Sequence, residues 1–182
     1  AIISYQLENE ALLQDFGRKP EVDRARLRQE FSLIKQLDPT RPVIMTTSTS
    51  WGMPVREPVP DIIGFSYYHI AWSKKANAYR KAGGHYALLH RLRAWLNWQL
   101  LNRRSFVHEL QCEPWAPKGI WEVSSEEQDK SMGPLQIDKS FKRAKATKLY
   151  PIDIWGSEWW YWRHKHGDDS IWNAVKKQVS GS

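Results

Sequence analysis

The 182-residue chain has a single cysteine, Cys112, which excludes an internal disulfide framework and leaves the redox compartment unread. A lone cysteine of this kind reads as a small apolar core residue. No run of about eighteen apolar residues exists, so nothing predicts a membrane span. The front lacks an initiator methionine, a basic leader and an apolar signal core; it opens inside an apolar strand pattern. That opening leads us to expect residues upstream, and with them any targeting signal, so localisation stays open. A phosphate-binding glycine loop is missing too. The first strand runs into Asn9-Glu10-Ala11-Leu12-Leu13 with neither a GxGxxG nor a Walker pattern, which argues against a nucleotide-binding sheet.

Positive charge is not scarce, at a net +7, but it is not concentrated. Arg24, Arg26, Arg28, Arg91, Arg93, Lys139 and Lys142 are spread over expected helix faces, some of them interleaved with acids. No compact basic and aromatic motif appears, so nucleic acid is not expected as a partner. His164-Lys165-His166 has the look of a metal pair, yet no acid or cysteine stands at ligand spacing, and neither a metal nor a cofactor is expected. Internal repeats are absent.

Aromatic residues are abundant, with eleven tryptophans and seven tyrosines, flat surfaces of the kind on which a sugar ring stacks. Strand patterns fall at 2–8, 43–47, 61–68, 105–110 and 150–155. Helical patterns fall at about 21–37, 85–102, 124 onward, 137–149 and 170–179, with Ser125 and Gln128 as a possible capping box. No hairpin turn signal competes with this alternation. Near-continuous apolar strands separated by helices predict an α/β fold with a parallel sheet covered by helices, one domain over 1–182. In the helix at 85–102, Leu88, Leu89, Leu92, Trp95, Leu96 and Leu100 line one side, and Trp95 and Trp98 read as packing residues.

Polar and aromatic residues collect at strand C-terminal ends: Glu10, Ser48, Tyr67, Tyr68, His69, Glu109, Trp155 and Glu158. That edge is where a TIM barrel places its chemistry. A closed barrel needs eight strands and five are readable, so the expectation is a partial (β/α)8 barrel. Two strand-end glutamates, Glu10 and Glu109, suit glycosidic cleavage, in which one carboxyl protonates the leaving oxygen while the other attacks the anomeric carbon or activates water. Glu8, two residues before Glu10, is a rival by strand alternation. Trp51, Trp72, Trp115, Trp155, Trp159 and Trp160 fall in expected loops and are candidate sugar platforms. Glu113 and Glu158 are candidate loop carboxylates that orient a side chain or bind sugar, and His69 and His108 are possible hydrogen-bond partners in the site.

With these residues in view, the chain resembles the C-terminal part of clan A glycoside hydrolases, the retaining TIM-barrel glycosidases that include cellulases, xylanases and mannanases. The resemblance rests on Tyr5-Gln6-Leu7-Glu8-Asn9-Glu10, Val107-His108-Glu109-Leu110-Gln111 with its continuation Cys112-Glu113-Pro114-Trp115, and Trp155-Gly156-Ser157-Glu158-Trp159-Trp160-Tyr161-Trp162. The last two runs are similar to a bacterial xylanase- or cellulase-like subgroup. It implies strands four to eight of the barrel, with the first three βα units missing and a missing N-terminal half as a possible partner. It further implies Glu10 as acid/base, Glu109 as nucleophile, Tyr67 or Tyr68 hydrogen-bonded to that nucleophile, and Trp155 flooring the subsite beside the cut. Asn9 would hydrogen-bond the sugar 2-hydroxyl. The competing expectation is a non-catalytic carbohydrate-binding protein that keeps the aromatic platform on an incomplete barrel.

Overall fold

A computed structural model describes residues 2–13, 22–48 and 53–181. Five parallel strands form one sheet in the order β1 (Tyr5–Gln6), β2 (Val43–Thr47), β3 (Ile62–Tyr67), β6 (Arg104–Gln111) and β7 (Ile152–Trp155). A separate antiparallel hairpin, β4 (Ile70–Ser73) with β5 (Ala78–Lys81), stands after β3. The helices are α1 (Arg24–Leu37), α2 (Tyr86–Leu101), α3 (Ser125–Ser131), α4 (Pro134–Thr147), α5 (Ser157–Lys165) and α6 (Ser170–Ser180). The architecture is therefore α/β, a parallel five-stranded sheet with helices on one side.

The sheet is curled. β1 and β6 are three strand steps apart, roughly 14 Å along a flat sheet. Yet the Gln6 side-chain oxygen and His108 Nε2 lie 2.9 Å apart. From β7, Asp153 reaches the other ring nitrogen of His108 at 3.2 Å. Side chains from non-adjacent strands meet only across a concave face. Gly64 makes room there, since a Cβ at that position would sit 2.7 Å from the His108 Cβ and 3.2 Å from Thr46 Cγ2. On the convex side Tyr67, Val107, Leu110 and Cys112 pack with Met132, Ile137, Phe141, Trp159 and Ile171 from the helical layer. A smaller cluster joins Leu7, Val43 and Met45 to Leu27 of α1.

Several elements depart from expectation. The first strand is two residues long rather than spanning 2–8, because the chain turns at Glu8 and Glu10, both left-handed (φ +53° and +46°). The hairpin β4–β5 was not expected; it turns at Asn77 (φ +47°), a residue type that tolerates the left-handed region. The segment after β7 is helix α5, not loop. Trp159 and Trp160 accordingly lie buried beneath it, donating their indole N–H to Gln128 Oε1 at 3.0 Å and to the Cys112 carbonyl at 2.6 Å, and are not sugar platforms. The cap of α3 is Ser124, whose hydroxyl accepts from Glu127 N at 3.3 Å, one residue before the expected Ser125.

α2 is inverted relative to its apolar pattern. Leu88, Leu92, Trp95, Trp98 and Leu100 are exposed, whereas His90, Arg93 and Asn97 face the sheet. The spacing of these three is helical, and the sheet surface beneath them offers polar partners. Arg93 lies over the Phe65 ring at 4.4 Å and donates to Thr47 Oγ1 at 3.2 Å. Asn97 donates to Ser105 Oγ at 3.0 Å. A guanidinium stacked on an aromatic ring and hydrogen-bonded to the strand ends fills that interface in place of leucine.

Candidate functional site

Strand alternation puts Gly64, Ser66 and Tyr68 on the concave side and Phe65 and Tyr67 among the helices. β6 needs an extra device to do the same for its glutamate. Its register slips against β3 between Phe65 and Ser66, and against β7 between Val107 and Leu110. This is a β-bulge at His108–Glu109. Val107 and Leu110, three apart instead of two, both enter the helical core. The two residues between them turn inward together: His108 to Gln6 and Asp153, Glu109 to the rim. Bulges of this kind re-aim side chains beside functional sites.

Glu10 arrives from the opposite end of the sheet. Its backbone N–H donates to Thr46 Oγ1 at 2.7 Å, which pins the left-handed turn onto the end of β2. That turn also settles Glu8. Because the strand stops at Gln6, alternation does not carry Glu8 to the same face; its carboxylate pairs outside with Arg26 at 2.6 Å.

The two glutamates meet through Ser66. Ser66 Oγ lies 2.5 Å from Glu10 Oε1 and 3.3 Å from Glu109 Oε2, and the Tyr68 hydroxyl donates to Glu109 Oε2 at 3.1 Å. Both carboxylates are buried. Burial pushes the Glu109 carboxyl above the usual range, and the Glu10 charge adds to this. The Tyr68 and Ser66 hydroxyls and His108 pull the other way. Burial and the neighbouring Glu109 raise the Tyr68 hydroxyl as well, so it is a fixed donor at ordinary pH.

This pair opens into a cleft of about 610 Å³ whose lining includes Asn9, Ser48, Glu113, Trp115, Trp155, Arg80 and Lys81. Trp155 donates its indole N–H to Glu113 Oε1 at 2.8 Å. Gly156 (φ +118°) permits the approach, since a Cβ there would stand 2.8 Å from Glu113 Cβ and 2.9 Å from the Cys112 carbonyl oxygen. Glu113 is raised by burial, eased by the Trp155 hydrogen bond and raised again by Glu158 and Glu109. Trp115 meets Tyr68 edge-on at 5.1 Å.

Of the residues expected at the site, Glu10, Glu109, Asn9, Tyr68, Trp115 and Trp155 come together on this cleft. Tyr67 does not: it is buried in the helical layer against Tyr86 and His90. The His69 backbone borders the cleft, but its ring lies 3.3 Å from Ser140 of α4, and burial lowers its pKa to about 4, so it is neutral. Trp72 packs on Tyr79 outside the lining. Glu158 is exposed on the first turn of α5, acting on the cleft only through its charge on Glu113. Trp51 lies outside the described residues. Among the described residues no group of histidine, cysteine and carboxylate side chains is arranged to hold a metal ion.

Three functional features escaped the sequence. Ser66 was findable, since it stands two residues before Tyr68 on the same strand face. Arg80 and Lys81 were not, because the hairpin that carries them has no strong turn signal. Gln111 was read only as part of a motif. Its buried amide clamps the start of β4, accepting from His69 N at 2.9 Å and Ile70 N at 3.0 Å and donating to the Ile70 carbonyl at 2.6 Å.

The molecule thus belongs structurally to the α/β proteins with a curled parallel sheet, here carrying a bridged carboxylate pair at the C-terminal rim of its strands. No family model matches the chain, and no curated protein matches it. Among solved structures it is similar to the crystal structure of an FMN-binding beta-glucuronidase from Facaelibacterium prausnitzii L2-6, at 15% identity and a TM-score of 0.49. The match covers 85% of this chain and 22% of that one, so the chain spans about a fifth of that protein's length.

Proposed function

We propose that the chain forms strands four to eight of a (β/α)8 barrel and carries the catalytic pair of a retaining β-glycoside hydrolase. The Ser66 bridge carries this reading. Its 2.5 and 3.3 Å legs cap the separation of the two carboxylate oxygens at about 5.8 Å, against about 5–5.5 Å between the carboxyls of a retaining pair and about 6.5–9.5 Å for an inverting one.

In this mechanism ionised Glu109 attacks the anomeric carbon while protonated Glu10 gives its proton to the departing oxygen. Glu10, now a carboxylate, takes a proton from the incoming water; the hydroxide so formed displaces Glu109 and restores both groups. Tyr68 orients the attacking oxygen through its hydrogen bond, and Asn9 is placed to meet the sugar 2-hydroxyl. Trp155, held by Glu113, and Trp115 supply apolar faces for the ring. Glu109 is the group whose pKa stands raised, and it attacks only as the anion, so its ionisation sets the acid limb of the rate profile. β1 and β7 each pair on one side only among the described strands. Open parallel edges favour further strands, here three more βα units.

The test is turnover of aryl β-glycosides by the chain together with those units, and trapping with 2-deoxy-2-fluoro glycosides. The expected result is a covalent adduct on Glu109, with Glu10→Gln and Glu109→Gln each abolishing hydrolysis. Sugar binding that both substitutions leave intact, without turnover in the parent protein, would instead establish the carbohydrate-binding reading.

A further inference from the structure

Resting on the hydrolase reading of this cleft, we propose that its glycan carries an anionic group, a carboxylate or a sulfate, received at the rim by Arg80, with Lys81 adding positive charge beside it. The floor of the cleft is acidic: Glu10, Glu109 and Glu113 line it. Both Glu109 and Glu113 are raised first by burial, and the neighbouring carboxylates push them further the same way. The cations of the cleft stand apart from these acids, on β5. Arg80 and Lys81 both line the cleft and are exposed, and no side-chain hydrogen bond or salt bridge joins either to a described residue. By contrast Arg24, Arg41, Arg103 and Arg143 all donate to carbonyls or carboxylates.

The register of the hairpin aims Arg80. It lies opposite Ala71, and Tyr79 lies opposite Trp72. Directly opposed residues share a face, so the Trp72–Tyr79 pair takes the side where Tyr79 donates to Glu127 of α3. Arg80 takes the other side, where the Ala71 methyl does not cover it and both residues border the cleft. The hairpin is also anchored. Gln111 clamps residues 69 and 70, Ala82 N donates to the His69 carbonyl at 2.7 Å, Trp72 N to the Trp115 carbonyl at 2.9 Å, and Arg143 to the Ala82 carbonyl at 3.1 Å. Gln111, two residues beyond Glu109 on β6, therefore holds the hairpin, and Arg80 with it, at a set place relative to the acid floor. A neutral glycan would leave the Arg80 guanidinium unused. An anionic one pairs outward with it while its glycosidic bond lies over the carboxylates, and its register along the cleft is fixed by the charge.

The experiment uses matched pairs of β-linked oligosaccharides: a uronate with its carboxyl-reduced counterpart, and a sulfated sugar with its unsulfated one. The readout is the ratio of kcat/KM within each pair at low and high salt, a ratio insensitive to the fraction of folded protein. The expected result is a preference of about tenfold or more for the anionic member of at least one pair, weakening with salt. It falls to near one in the Arg80→Gln/Lys81→Gln variant. Which pair shows the preference distinguishes carboxylate from sulfate. Equal turnover within every pair, or a preference that survives in the double variant, overturns the proposal while the hydrolase reading stands. Absence of turnover across all pairs overturns both.

Discussion

Replacing Ser66 with alanine removes the one hydroxyl placed between the two carboxylates. The residue is fully buried, and alanine keeps the strand and its packing, so the change isolates the bridge. A hydroxyl has a single proton and donates to one carboxylate at a time, with the 2.5 Å leg to Glu10 the stronger and the 3.3 Å leg to Glu109 the weaker. A hydrogen bond to a charged group contributes about 1.5–3 kcal/mol, which bounds the loss of stability at neutral pH.

The pH dependence carries the sharper expectation. The Glu109 pKa is raised in the folded chain, and Ser66 pulls it back down. Without Ser66 it rises further above its unfolded value of about 4.3. In the interval between these values the folded chain binds more protons than the unfolded one, so stability falls as pH rises through it. The destabilisation by Ser66→Ala is therefore fully developed above the variant's folded pKa and shrinks as pH drops through the raised folded values toward the ordinary carboxylate range. The acid limb of kcat/KM moves to higher pH by at most about 1–2 units, the same free energy read in protons. Denaturant melts across pH 4 to 8 and a pH–rate profile measure both. A destabilisation constant across pH, with an unmoved acid limb, would refute the claim that Ser66 couples the pair.

Glu109→Gln is expected to abolish hydrolysis and yet raise stability at neutral pH, since it removes a buried charge whose pKa stands raised. The gain should vanish below the ordinary carboxylate pKa in the same melts, and a loss of stability at neutral pH would contradict it. Gly64→Ala drives a methyl to 2.7 Å from His108 Cβ and should cost about 1–3 kcal/mol, checked by thermal unfolding. Gly156→Ala meets both a left-handed backbone and the Glu113 Cβ at 2.8 Å. It should raise KM more than it lowers kcat, because it displaces the Glu113–Trp155 wall rather than the reacting pair; a selective fall in kcat would refute that division.

The strand order and the helical covering were legible because they rest on composition over whole elements. β2 begins and ends where its β-branched run does, at Val43 and Thr47, and the helical pattern at 137–149 is α4, which starts three residues earlier with Pro134 at its first position. Legibility failed where partner chemistry decides. α2 has an apolar face and a polar face, and periodicity alone assigns the apolar one inward. The sheet beneath it presents Thr47, Ser105 and the Phe65 ring, so Arg93 and Asn97 win the interface. Tyr67 and Tyr68 are adjacent, and alternation allows only one of them into the cleft. Choosing between them requires knowing which side of β3 the helices cover. The hairpin β4–β5 hides in Ile70-Ala71-Trp72-Ser73, too short a run to be told from loop.

The bulge at His108–Glu109 shows why the site is hardest to read where it matters most. A regular strand would alternate His108 inward and Glu109 outward, burying a carboxylate in the apolar helical core that takes Val107 and Leu110. The inserted residue lets His108 tie β6 to Gln6 and Asp153 across the curled sheet while Glu109 turns to Ser66 and Tyr68. Each inward group has hydrogen-bond partners, so the departure from period two removes an unpaired buried charge rather than creating one. The cost falls on the ladder, where the pairing with β3 and β7 slips. A fold that broke its own pattern there without gain would be selected against on stability alone. Glu109 remains buried with a raised pKa even after this rescue, the kind of perturbed carboxyl on which the proposed chemistry draws.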